Sequence, residues 1–128
     1  MKVIKLISLC LVITFTGISC SNNSDDTEQS VTQSNLTGKW YADTQDPNII
    51  DFNSNGKVYA TYFNAGTNGQ DLINTGAWSL SGNTIKIHWD QADPGLENWS
   101  AEILTLTNSK LVWKEFVDGY YSNYSFHR

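Results

Sequence analysis

Three two-residue breaks, Gly82-Asn83, Asn108-Ser109 and Asp118-Gly119, constrain this chain more than any other feature, because each separates runs in which apolar and polar residues alternate. A two-residue hairpin loop pairs its flanking residues one to one, and so decides which side chains share a face. Across Gly82-Asn83, Ser81 pairs with Thr84, Leu80 faces Ile85 and Trp78 faces Ile87; Trp89 continues that row, while Ser79, Lys86 and His88 fall on the other side. Across Asn108-Ser109, Leu106 meets Leu111 and Leu104 meets Trp113. Across Asp118-Gly119, Trp113 pairs with Tyr124 and Leu111 with Phe126. The three turns agree on one buried face. A three-residue loop at 53–56, with Gly56 in the left-handed region, extends that face by pairing Phe52 with Val58 and Ile50 with Ala60; a slip there buries Tyr59 instead.

From Leu36 onward no stretch keeps a 3.6-residue period. Short β-branched and aromatic runs alternate with Gly, Asn, Asp and Ser breaks, which predicts strands near 37–43, 48–53, 57–63, 71–80, 83–89, 98–107, 110–117 and 120–128. At 128 residues, with five Trp and only two Pro, the chain suits one small β domain. The fold class expected is all-β, a small eight-stranded up-and-down antiparallel barrel over residues 36–128. If the first strand runs upward, the tight turns at 53–56, 82–83 and 108–109 lie at the bottom. The longer loops 43–48, 64–70 and 90–98 lie at the top, so one end is closed and the other open. The last strand then runs down beside the first, bringing Arg128 next to Gly38-Lys39-Trp40.

Residues 1–19 read as a signal peptide: a basic start containing Lys2 and Lys5, then an uncharged apolar run to Ser19. That run is shorter than the roughly 20 residues needed to cross a bilayer as a helix. Residues 20–35 read as a polar, disordered tether, with Ser21 to Ser30 offering too little apolar surface to offset the entropy of ordering. Gly17-Ile18-Ser19-Cys20 resembles the lipobox of bacterial lipoprotein precursors. That resemblance implies cleavage before Cys20, diacylation of its sulfur and a further palmitate-type acyl chain on the new N-terminus. Ordinary signal cleavage uses the same small residues and leaves Cys20 a free thiol. Cysteine arithmetic favours the lipid, since Cys10 is removed and Cys20 would otherwise be an unpaired thiol in an oxidising compartment. In the lipoprotein reading Ser21 directs the protein to the outer membrane, with the periplasmic or surface side left open, and two or three acyl chains hold it there. Cleavage removes Lys2 and Lys5 from a chain already at net charge −5, which argues against a nucleic-acid partner.

The folded region resembles the lipocalin-like domains of the calycin superfamily: Gly38-Lys39-Trp40 is similar to the GxW motif that opens the first strand, and Arg128 to the Arg that stacks over that Trp. The resemblance implies a structural plug of Gly38, Trp40 and Arg128 at the closed end. No second lipocalin motif, C-terminal helix or disulfide accompanies it, so no ligand is carried over.

Candidate ligand contacts come from the strand pairing. Continuing the rows upward brings Glu102 and Glu115 together near the mouth, where a like-charged pair would hold a cation or hydrogen-bond a polar ligand. A bulge in the sixth strand turns Glu102 outward instead. Tyr62, Trp89 and Trp99 offer stacking faces or are ordinary core and rim aromatics; Trp113 and Tyr124 are further candidate ligand contacts, unless with Trp78, Trp89 and Phe126 they fill the interior. His88 and His127 point outward without a metal-binding pattern, the acids of loop 90–98 lack calcium-loop spacing, and no Gly-x-Ser-x-Gly elbow occurs. No metal, cofactor or catalytic residue is therefore expected. Two functions remain: an anchored module that binds a small apolar or amphipathic molecule at the open end, or a filled barrel that meets an envelope protein through loop aromatics such as Phe63.

Overall fold

In a computed structural model that describes residues 27–44 and 47–128, the alternating tracts form a helical turn and eight strands. The turn is α1 (Gln33–Leu36). The strands are β1 (Gly38–Ala42), β2 (Ile49–Phe52), β3 (Lys57–Tyr62), β4 (Leu72–Ser81), β5 (Thr84–Trp89), β6 (Asn98–Leu106), β7 (Lys110–Val117) and β8 (Tyr120–His127). Each pairs antiparallel with the next, and β8 returns to β1, so the sheet is a closed barrel. Residues 1–19, read as a signal peptide, and Cys20 lie outside the described residues. Among the described residues, no helix is long and apolar enough to cross a membrane.

The registers follow the turns. Leu80 faces Ile85 and Trp78 faces Ile87; Trp113 faces Tyr124 and Leu111 faces Phe126; Phe52 faces Val58 and Ile50 faces Ala60. Tyr59 is exposed, so no slip occurs at 53–56. One register departs from expectation. Leu106 meets Leu111, but between Ile103 and Thr105 the β6–β7 ladder shifts and Trp113 faces Ile103. Leu104 is turned outward and is 40% exposed. An extra residue in one strand reverses the inward and outward sense of everything before it.

The interior is packed from the closed end upward. Trp40, Phe52, Val58, Ile85, Leu111 and Phe126 are fully buried. Phe52 and Trp78 meet edge to face at 4.9 Å, and the Trp78 indole N–H donates to the Asn53 carbonyl at 2.9 Å, tying the β2–β3 turn to β4. The base is stoppered by α1, capped by Thr32, whose hydroxyl accepts from the Asn35 N–H. This places buried Leu36 under the barrel, with its carbonyl accepting the Trp40 indole N–H at 2.9 Å.

Residues 29–35, assigned by composition to the tether, belong to this closed end. The Gln29 backbone N–H donates to the Leu106 carbonyl at 2.6 Å and its side-chain amide to Asn108, while Val31 packs against the core. The polar composition conceals this because the ordering contacts are hydrogen bonds to strand ends rather than apolar burial.

The Arg128 guanidinium lies over the Trp40 ring, 4.1 Å from its centroid, and donates to the carbonyls of Asn108, Thr37 and Asn35. Gly38 has φ +123°, where a side chain is strained, and an added Cβ would lie 3.5 Å from the guanidinium. Replacing Trp40 with Ala removes the largest group of this plug and is expected to cost about 3–5 kcal/mol in a denaturant titration. A loss below about 1 kcal/mol would show that the plug does not support the fold.

Candidate functional site

Four connections gather at the end opposite the plug: 43–48, 63–71, 90–97 and 118–119. Hydrogen bonds within and between them shape the rim. The Phe63 N–H donates to Asn48 Oδ1 at 2.6 Å and the Asn64 N–H to Asp71 Oδ1 at 3.1 Å, joining the first two connections. Thr75 exchanges hydrogen bonds with Asp90 and Gln91. Glu97 accepts from its own and the Gly95 backbone N–H, which holds its carboxyl below the usual range.

Inside this rim is a cavity of about 190 Å³ lined by Pro47, Ile50, Tyr62, Trp89, Trp99, Trp113, Glu115 and Tyr124. Every lining residue except Pro47 comes from a strand position whose side chain faces inward. Six of the expected ligand contacts are therefore brought together: Tyr62, Trp89, Trp99, Trp113, Glu115 and Tyr124.

Glu102 is not among them. It lies exposed on the outer surface, paired with Lys114 at 2.9 Å, so two carboxylates do not meet at the mouth. The hydrogen bond from Lys114 to Glu102 also raises the Lys114 pKa. The cause is the Leu104 bulge, which sends Ala101 and Ile103 inward and Ser100 and Glu102 outward. The same reversal carries Trp99 to the interior.

Glu115 is held by two indoles. The Trp99 Nε1–H donates to one carboxylate oxygen at 2.7 Å and the Trp113 Nε1–H approaches the other at 3.4 Å. The two rings meet edge to face at 5.3 Å, and Trp113, only 1% exposed, packs against Phe126 at 4.2 Å. Sequence reasoning missed Gly76, which faces Trp89 across the β4–β5 ladder. A Cβ there would lie 2.5 Å from the His88 carbonyl oxygen and 3.1 Å from the Trp89 ring, so glycine leaves the room that the indole occupies. It also missed Pro47 and Ile50 as lining residues.

The bases lie toward the closed end, where Lys39 faces Asp51 across β1–β2. The mouth connections carry Asp43, Asp71, Asp90, Asp93, Glu97 and Asp118 and neither Lys nor Arg. Lys39, Lys57, Lys110 and Arg128 stand at or near the closed end. A wider hollow of about 520 Å³ lies outside β4–β6, against the outward-facing Ala77, Ser79, Lys86, His88, Asn98 and Ser100. It is open to solvent on the outer face, whereas the smaller cavity, though open at the mouth, has barrel walls around it and is the better place to desolvate a ligand.

Among the described residues no three His, Cys, Asp or Glu side chains are grouped to hold a metal ion. His88 bonds to Asn98 on the outer face. His127 bonds to Asp43 Oδ1 at 2.7 Å, and Ser125 donates to Asp43 Oδ2 at 2.5 Å. Those two bonds, Ser125 foremost, hold the Asp43 carboxyl below its usual range.

Truncating Glu115 to Ala leaves two indole N–H groups without their acceptor and is expected to lower stability by about 1–3 kcal/mol. Glu102→Ala, which breaks an exposed pair, is expected to leave the urea midpoint unchanged. Equal shifts for the two would refute the distinct placements.

Comparison with known proteins agrees with the geometry. A family model for the lipocalin-like domain matches residues 12–113; β8 and Arg128 lie beyond that match. Among solved structures, a lipocalin-like protein from Bacteroides uniformis ATCC 8492 is similar at 19% identity and TM-score 0.51, over 73% of this chain and 97% of that one. At that identity the likeness is one of fold. None of the curated proteins matches.

Proposed function

The chain belongs to the lipocalin-like domain family, and from that premise we propose that it is an envelope lipoprotein whose barrel binds a small apolar or amphipathic molecule at its open end. The observation that carries this reading is the cavity at the barrel mouth, with aromatic walls and one oriented carboxylate. Pockets of this kind, apolar with few placed polar groups, are the usual form of small-molecule sites. Size narrows the class. Drug-sized ligands occupy roughly 300–1,000 Å³, while an apolar cavity of about 150 Å³ holds benzene. At about 190 Å³ the site suits a compact molecule and excludes an extended acyl chain.

Binding rather than catalysis is also favoured by the outer-face cluster at 43, 125 and 127. A nucleophilic serine needs its hydroxyl on the imidazole base, whereas the Ser125 hydroxyl and His127 both bond to Asp43. The proposed anchor is lipid on Cys20, held at the outer membrane. Gln29 sits at the closed end beside the β6–β7 turn, so a tether from Cys20 would enter at that end with the mouth directed away from the lipid.

A second reading, contact with an envelope protein, draws support from the mouth's exterior. Phe63, Leu96, Phe116, Tyr120 and Tyr121 are at least half exposed there. Phe116 and Tyr121 pack together at 5.1 Å, and exposed apolar patches mark interaction sites. Substituting Phe116 and Tyr120 would disturb such a contact without touching the cavity.

Titrating benzyl alcohol into the full-length protein in a maltoside detergent is expected to shift tryptophan emission saturably, and Trp89→Ala to weaken that binding. An absence of saturable change with benzyl alcohol, choline and 3,3-dimethyl-1-butanol alike would overturn the ligand-site reading. Cys20→Ala is expected to move the protein from the membrane to the soluble fraction on cell fractionation; continued retention would overturn the lipid anchor.

A further inference from the structure

Resting on the reading of the cavity as a ligand site, we infer that its ligand is a small organic cation, an alkylammonium or quaternary ammonium of about choline size, held among aromatic rings beside Glu115. Among the described residues, Glu115 is the only ionisable carboxyl or amine lining the cavity. Among the described residues the ion pairs are Lys114 with Glu102 and His127 with Asp43, both on the outer face, so no side-chain cation accompanies Glu115. Glu115 is half-buried, and its hydrogen-bond partners are neutral indole N–H groups, so its charge has no opposite charge beside it. A cationic ligand supplies one.

The rings supply the rest. Tyr62, Trp89, Trp99, Trp113 and Tyr124 surround the carboxylate, and a desolvated cation is drawn to such rings, to Trp most strongly. Because the N–H groups of Trp99 and Trp113 are committed to Glu115, those two indoles offer a ligand carbon and π surface rather than donors. An anionic ligand would meet a like charge and no donor from those two indoles. A hard metal ion needs six or more oxygen ligands, and one carboxylate among aromatics does not provide them. A neutral apolar ligand would displace water from beside the carboxylate and bring no charge in exchange.

The surface field points the same way. The mouth connections hold acids and no bases, so the potential at the entrance is negative and draws cations toward it. This feature is independent of the cavity itself, since none of those acids lines it.

The test compares choline chloride with its uncharged carbon isostere, 3,3-dimethyl-1-butanol, by tryptophan-emission titration of the full-length protein in maltoside. Choline is expected to bind at least about tenfold tighter, equivalent to about 1.4 kcal/mol. Glu115→Gln, which keeps an acceptor for the indoles, is expected to remove that preference, whereas Glu102→Gln on the outer face keeps it. Equal or tighter binding of the isostere overturns the cation assignment and leaves the ligand site standing. Failure of choline while benzyl alcohol binds has the same meaning. Failure of all three probes overturns the ligand site together with the cation. Because the choline-to-isostere comparison is made on the unsubstituted protein, it decides the matter even where Glu115→Gln fails to fold.

Discussion

The seam between β1 and β8 decides whether this sheet is a barrel at all. Only Tyr41 with His127 and Ala42 with Phe126 are in register there, against eight pairs between β7 and β8. So short a ladder leaves most of the closure to side chains. Above it, Asp43 gathers Ser125 and His127. Below it, Arg128 bridges the carbonyls of Asn35, Thr37 and Asn108, tying α1, the entrance to β1 and the β6–β7 turn to one planar group. A guanidinium suits this task because its five N–H donors lie in a rigid fork and its face stacks on an indole. A lysine ammonium in its place has no such face. Opening the seam would expose two strand edges and admit water to Trp40, so the plug and the closure are one device.

The same topology sorts charge. Tight turns at the closed end bring the strand starts at Lys39, Lys57 and Lys110 together, while the long connections at the other end carry the acids. Over most of the barrel the ends are separated by a strand length, beyond which salt screens; the exception is the β1–β8 seam, where Asp43 lies within reach of the Lys110 charge. With the proposed anchor at the basic end, the acidic mouth faces solvent, where it meets diffusing solutes before any neutral surface does.

How much of this was legible in the sequence depends on how local each determinant is. Hairpin turns are local, so the eight strands, the inward rows and the placing of Arg128 beside the first strand could be read from residue parity. A bulge is not signalled by its turn. Counting back from Asn108-Ser109 put Leu104 inward and carried Glu102 with it, but Leu104 is the extra residue and the parity reverses there. The alternation itself held the clue: Trp99, Ala101 and Ile103 are apolar with polar residues between them, and the phase breaks at the adjacent Ile103 and Leu104. Residues 29–35 were illegible for another reason. Their order comes from bonds to Leu106 and Asn108, far away in sequence, and composition reports only the apolar surface a segment carries.

Trp113 is where the stability of this barrel and the chemistry of its cavity meet. Its ring packs against Phe126, which belongs to the core above the plug, and against Trp99 at the cavity wall. Its N–H reaches toward Glu115 on the same strand, two residues on, where β7 next points inward. The carboxylate is thus positioned by a side chain that the core already immobilises, rather than by a mouth loop. Loop sequence can therefore vary without moving it. That arrangement explains how so short a barrel can keep a shaped polar site: the closed half is filled to density, and its uppermost aromatic layer forms the floor of the open half.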